Sequence, residues 1–314
     1  MNLEQNILIE TRKWRQNAIT VAGGNERGDE LNQLSTPTSI CINDDDDNNQ
    51  TLYIADQSND RIMAWNSNAR AGRIVLGGNE FNWKIKSSVD LEDIVFDKQS
   101  NSLIICDIAN KRILRWSLEN TTDLEILISN ISCRDLALDK HGYLYIVGNR
   151  DNQIKRWKNG ISIETVISNG YFELNQTRVN STPNYITLGN DGSVYTSDYV
   201  NHVVLKWTQN SSQGTIVAGG HGRGNQLIQL HEPMGIIVDE FDNIYIADFR
   251  NHRIVYWMKE AKEGRVIAGG NGDGMEVNQF TYPTDLLFDK YDNLYVLDTS
   301  NDRVQKFLLD LSQN

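Results

Sequence analysis

The feature that most limits what this chain can fold into is a phrase that recurs six times. It reads Leu/Ile/Val-Tyr-Ile-x-Asp, then two residues, then Asn-x-Arg-Ile-x-x-Trp. Each copy ends on an aromatic: Trp65, Trp116, Trp157, Trp207, Trp257 and Phe307. The step is about fifty residues, shortened to about forty between Trp116 and Trp157, the period expected of repeat architectures. A unit of this size cannot bury its own apolar face, so neighbouring units must cover one another. Within a unit the apolar residues alternate with period two over short runs separated by Asp-, Asn- and Gly-rich turns. The run Ile244–Asp248 followed by Phe249-Arg250-Asn251 is one example. That pattern predicts strands, four per unit.

Six units of four strands predict an all-β chain, a six-bladed β-propeller of antiparallel blades. The last unit stops soon after its third strand. The missing fourth matches the N-terminal run Ala18-Ile19-Thr20-Val21-Ala22-Gly23-Gly24, which resembles Ile216-Val217-Ala218-Gly219-Gly220 and Val266-Ile267-Ala268-Gly269-Gly270. Residues 18–24 are therefore expected to complete the last blade and remove the open sheet edges. The division this gives is residues 1–17 as an N-terminal extension or flap and residues 18–311 as one propeller.

Composition narrows the function classes. The formal net charge is −12, and Lys and Arg nowhere cluster beyond Arg12-Lys13 and Arg15, which argues against a nucleic-acid ligand. No apolar run is long enough to span a bilayer. The start of the chain has neither a basic region nor an apolar stretch, so no signal peptide is visible. The expectation is a cytoplasmic monomer, with secretion as the alternative. Of the three cysteines, Cys41, Cys106 and Cys133, none shows metal-ligand spacing; the number allows one disulfide, and none is the expected state.

The repeat resembles the NHL-repeat family, on Pro233…Asp239…Ile244–Asp248…Asn251-His252-Arg253-Ile254 and the glycine-rich runs Gly219–Gly224 and Gly269–Gly274 that precede such units. Units one, five and six fit best. Unit three has Gly148 and Gln153 in place of the Asp and Arg, and unit four has Val203 in place of the Arg. The resemblance implies a six-bladed propeller. It implies no single activity, since similar propellers include binding domains of tripartite-motif proteins and the peptide-amidating lyase.

Residues repeated in every unit are read as construction. The Asp–Arg pairs, Asp56 with Arg61, Asp107 with Arg112, Asp248 with Arg253 and Asp298 with Arg303, are expected to cap turns and bridge neighbours. The glycine runs are expected to supply positive φ in blade-to-blade crossovers. Of the histidines, His202 and His252 share one repeat position, and His221 and His231 share a loop; no set of three converges in the manner of a zinc site.

Candidate function is then sought in the departures. At the start of the first strands, where Gly235 fits the family pattern, other units carry Ser39, Asp93, Asp135, Tyr185 and Asp285. Glu92, Arg134 and Asn184 stand beside them. These positions fall at the channel mouth. Asp93, Asp135 and Asp285 are candidate oxygen ligands for Ca²⁺, or else a solvated acidic rim with Arg134 as counter-ion. Asp44–Asp47 form a like-charged insertion in a hairpin tip. Phe81 and Trp83 sit in a crossover, and Trp83 has no place in the repeat register, which makes the pair a candidate partner anchor. Unit three lacks its long crossover, leaving a notch between Asn130 and Cys133. The preferred function is a non-catalytic binding or scaffold module for a protein or peptide, using the long-loop face and channel mouth. The alternative is a calcium-dependent hydrolase or lyase at the acidic mouth.

Overall fold

In the computed structural model, residues 12–44, 50–78, 90–119, 124–148, 152–167, 170–208 and 211–313 are described. They form six sheets, antiparallel save for one added parallel pair in blade 4, with only short 3₁₀ turns between strands. Each sheet is one blade of a propeller, its strands A to D running outward from the channel. Blade 1 comprises Pro37–Asn43, Thr51–Asp56, Arg61–Asn66 and Arg73–Gly77. Blade 5 repeats it as Pro233–Val238, Ile244–Asp248, Arg253–Trp257 and Arg265–Gly269. In blade 6, Pro283–Phe288, Leu294–Asp298 and Arg303–Phe307 are completed by Ile19–Gly23, which pairs antiparallel with strand C. The ring thus closes as the sequence pattern predicts, and strand C of the last blade is not left as an edge.

The apolar core is not a single mass. It is six wedges, one at each blade junction. Between blades 1 and 2 it contains Tyr53, Ile62, Leu103 and Trp116; between blades 6 and 1 it contains Leu52, Trp65, Tyr295 and Val304. Alternate residues of strands B and C feed opposite wedges because side chains alternate across a strand. Period-two patterning therefore fills both faces of each blade.

Two features differ from the sequence reading. The connection entering blade 4 contains a hairpin, Tyr171–Leu174 with Thr177–Asn180. It adds in parallel to Gln213–Gly219 and makes that sheet six-stranded. Glu173 and Arg178 pair across it, and Arg178 lies over the Tyr171 ring, 3.8 Å from its centroid. The second concerns the cysteines. Cys106, in strand B of blade 2, is bonded to Cys133, at the entry to blade 3, while Cys41 is free. Cys133 takes the register place that Pro37, Pro233 and Pro283 hold elsewhere, so the short connection over the expected notch is stapled to blade 2. Sequence spacing offered no sign of this, because the two residues meet only when two blades pack.

Trp14 is buried and forms an isolated bridge with Leu309. Phe81 and Trp83, and Asp45–Asp47 of the acidic run, lie outside the described residues.

Candidate functional site: the channel mouth and the long-loop face

The repeated Asp–Arg pairs are fully engaged in construction. In blade 5 the Asp248 carboxylate is completely buried. It accepts from Arg253 Nε (2.7 Å), Asn251 Nδ2 (2.8 Å) and the His231 amide (2.7 Å) of the incoming loop. The Arg253 guanidinium goes on to donate to the carbonyls of Asn225, Gln226 and Gln229 in that loop. Blades 1 and 6 repeat the arrangement through Asp56 and Arg61, and through Asp298 and Arg303. The Asp therefore clamps the long loop to the B–C turn; in these three blades it does not cap the backbone of that turn. In blades 2 and 4, Asp107 and Asp198 do accept from the turn amides of Asn110 and Asn201. Each loop is further pinned by a glutamine. Gln229 donates to the His221 carbonyl, and a Cβ on Gly224 would lie 2.1 Å from the Gln229 Oε1. That close approach is why glycine stands there.

The histidines prove to be part of the same scaffold. His202 and His252 end their B–C turns in the left-handed region, at φ 58° and 51°. Their Nδ1 atoms accept from the amides of Glu232 (3.1 Å) and Tyr282 (3.3 Å) of the next blade. Asp302 does the same for Thr36 at the ring closure, at 2.7 Å. His231 meets His202 edge-on at 5.6 Å between ring centroids, so the contact within the histidine set is with His202. Burial and the nearby His231 lower the His202 pKa.

The departures at the channel mouth form a ring of their own. Four of the five, all but Tyr185, reach to the backbone of the next blade's strand A. Ser39 Oγ accepts from Ile94 N (3.3 Å), and Asp93 Oδ2 from Leu136 N (2.8 Å). Asp135 Oδ2 accepts from Ile186 N (2.6 Å), and Asp285 Oδ2 from Ile40 N (2.9 Å). Blade 5 has Gly235 and no side chain to offer. There Leu286 N is taken by Oδ1 of its own neighbour Asp285 instead, at 2.8 Å. Ser39 Oγ also donates to Asp93 Oδ1 at 2.5 Å. The departures from glycine are thus inter-blade ties, satisfying strand-A amides that face the channel.

These ties enclose acid in a confined space. Asp93, Asp135, Tyr185, Asp285 and the free Cys41 line a channel cavity of about 310 Å³ with apolar walls that include Ile236 and Leu287. Burial raises the pKa of Asp93, and raises that of Asp135 further because the Asp93 charge lies beside it. Asp285 is pushed up to about 7 by burial and by Asp93. Burial and the same carboxylates raise the Cys41 thiol and the Tyr185 hydroxyl. The charge on Asp93 favours a proton on Asp135. Among the described residues no group of three or more His, Cys, Asp or Glu side chains is arranged to hold a metal ion. At the rim, Glu92 and Arg134 form a loose pair at 3.7 Å. Burial raises Glu92 and Arg134 opposes that rise. Asn184 is buried, its amide on the Met234 sulfur at 3.2 Å.

On the same face, blades 5 and 6 carry a surface that the sequence reading did not single out. Phe249 and Tyr282 stack at 4.8 Å. Arg250, exposed, lies over both rings at 5.6 and 5.2 Å and donates to Glu232 at 2.8 Å. Glu232 and Tyr282 each precede a proline, yet have φ of 55° and 58°. That conformation is costly for bulky residues and disfavoured before proline. It is held by the His202 and His252 contacts. The signal available in the sequence was the pairing of bulky residues before Pro233 and Pro283 with histidines at the turn ends.

The fold and site define a six-bladed β-propeller with an acid-lined channel cavity and one face built of long loops. No protein-family model matches the chain, and no curated protein does. Solved structures do resemble it. An auxiliary nutrient binding protein from Bacteroides thetaiotaomicron superposes with a TM-score of 0.70 at 16% identity, over 95% of this chain and 77% of that one. Virginiamycin B lyase from Staphylococcus aureus gives 0.57 at 14% identity, over 95% of this chain and 100% of that one. A gluconolactonase from Xanthomonas campestris gives 0.60 at 12%, over 83% and 82%. At these identities the likeness is one of fold. No helix among the described residues is long and apolar enough to cross a membrane.

Proposed function

We propose that this protein is a non-catalytic binding module that takes a protein or peptide ligand on its long-loop face, around the channel mouth. The observation that carries this reading is the Phe249–Arg250–Tyr282 stack beside Glu232. It is an aromatic and charged surface presented by strained backbone and held by inter-blade contacts. Rigid aromatic and arginine side chains on a scaffolded loop are suited to anchoring a partner. The nutrient-binding neighbours are compatible with a binding role. The test is selection from a random peptide library, followed by calorimetry of the enriched peptide. Tyr282→Ala and Arg250→Ala are expected to weaken binding by tenfold or more. Enrichment of no peptide, or equal affinity in both variants, contradicts the reading.

A second reading places calcium-dependent hydrolase or lyase chemistry at the mouth, with Asp93, Asp135 and Asp285 as ligands. It is favoured by the three carboxyl groups sharing one cavity and by neighbours named as a lyase and a gluconolactonase. Against it, each carboxyl group already accepts a strand amide. A calcium-dependent rise in melting temperature that Asp93→Asn abolishes would support it; no shift with calcium removes it.

A further inference from the structure

We infer that Asn130 and Asn175 are N-glycosylated, and that their glycans cover the outer edges of blades 2 and 4. This holds whichever reading of the binding site is correct.

The chain carries the acceptor sequence Asn-x-Ser/Thr at Asn49, Asn120, Asn130, Asn175, Asn180 and Asn210. Asn49, Asn120 and Asn210 lie outside the described residues. Asn130 directly follows Leu124–Ser129, the outermost strand of blade 2. Asn175-Gln176 is the two-residue turn that enters Thr177–Asn180, the outermost strand of the blade 4 sheet. Asn130 and Asn175 are both exposed and left-handed, at φ 58° and 50°. Asparagine tolerates that conformation, which by itself accounts for the residue. Ser132 and Thr177, two places on, are what make each turn an acceptor. Among the described residues neither side-chain amide has a hydrogen-bond partner. Asn180 lies within its strand, where its carbonyl accepts from Asn201 Nδ2 at 3.1 Å, and is left out.

The redox state points to the compartment. The Cys106–Cys133 bond joins two fully buried cysteines from blades 2 and 3. Disulfides persist in oxidising compartments, and chains that pass through these receive sugar at exposed Asn-x-Ser/Thr. The position of the two acceptors gives the sugar a task. An outermost strand offers unpaired amides and carbonyls to another chain, and proline or lysine usually blunts it. Leu124–Ser129 has neither and exposes Ile126; Thr177–Asn180 also has neither. A bulky glycan at the strand end obstructs such pairing. No acceptor Asn falls in residues 1–48 or 211–314, which supply the long loops Gly23–Pro37, Gly219–Pro233 and Gly269–Pro283. The sugars therefore leave that face open.

The transfer joins Asn Nδ2 to C1 of the first sugar. The bond from C1 to the oxygen of a polyprenyl pyrophosphate carrier breaks, the pyrophosphate leaves, and Nδ2 gives up one proton. Digestion of the full chain purified from its source, with trypsin and then peptide-N-glycosidase in heavy-oxygen water, marks each glycosylated Asn as a heavy Asp. Conversion at Asn130 and Asn175 in most molecules is expected, with Cys106 and Cys133 linked in the non-reduced digest. Recovery of one as unmodified Asn removes that site, and recovery of both overturns the inference. In a eukaryotic host that secretes the chain, Thr177→Val, an exposed change, is expected to lose the Asn175 sugar alone; its retention contradicts the assignment. Enzymatic removal of both sugars is expected to produce concentration-dependent oligomers by light scattering, and an unchanged size overturns the edge-covering role.

Discussion

Asp285→Asn separates the channel acids from ordinary surface carboxylates. Asp285 titrates near 7 in the folded protein, raised by burial and by the charge of Asp93; in the unfolded chain it titrates near the ordinary value of about 3.9. Between these values the folded state keeps a proton that the unfolded chain has released. The folded state then binds more protons, so stability falls as pH rises from about 4 to about 7 and levels off above. The difference of about three units sets an upper bound of roughly 4 kcal/mol on that loss. Asparagine cannot ionise, and its amide oxygen still accepts from Ile40 N; losing one acceptor costs about 1–2 kcal/mol. Asp285→Asn should therefore stabilise the protein by roughly 2 kcal/mol at pH 8 and destabilise it slightly at pH 4.5. Asp93 and Asp135 shift in the same direction and steepen the wild-type slope. Asp191, held at about 2, and Asp289, lowered by Asn293 and Lys306, lose their contributions only in more acid solution. Urea melts followed by tryptophan fluorescence at the two pH values read the effect. Equal destabilisation at both would refute the idea that Asp285 retains a proton at neutral pH.

Arg253→Met leaves Asp248 buried without its cation, and a loss of about 3–5 kcal/mol is expected in the same melts. Gly269→Ala forces a side chain onto a φ of +70°, with its Cβ 2.6 Å from the His252 carbonyl oxygen; a drop of about 1–3 kcal/mol is expected, and a neutral result would mean the crossover relaxes. Trp14→Ala removes a buried indole from the closing junction and should cost about 3–5 kcal/mol, read by urea denaturation. Reduction of Cys106–Cys133, which spans 27 residues, should lower stability by about 3.5 kcal/mol on loop-closure grounds. A Cys133→Ser melt insensitive to dithiothreitol alongside a sensitive wild type would confirm the bond as the cause.

The blades were legible because their logic is local. Period-two alternation, turn residues and a fixed step define the strands, and the match of residues 18–24 to the other fourth strands defines the closure. The six-stranded sheet of blade 4 was not legible. Tyr171–Asn180 carries ordinary hairpin chemistry but lies outside the repeat register. The role of the channel acids was half legible. Their departure from glycine marked Asp93, Asp135 and Asp285, but their attachment to the next blade's amides depends on a ring that exists only after closure. The same holds for Cys106 with Cys133, and for His202 and His252 with the following loops. Contacts between blades join residues far apart in the chain, and no local pattern announces them.

The residues repeated in each blade build the ring, and the proposed binding surface is the long-loop face. The most direct measurement is calorimetric titration of a library-selected peptide into the wild type, Tyr282→Ala and Asp285→Asn at pH 6. At least tenfold weaker binding is expected for Tyr282→Ala, and near wild-type affinity for Asp285→Asn, whose side chain holds blades together. Unchanged affinity in Tyr282→Ala, with loss in Asp285→Asn, would contradict it and move the site into the channel.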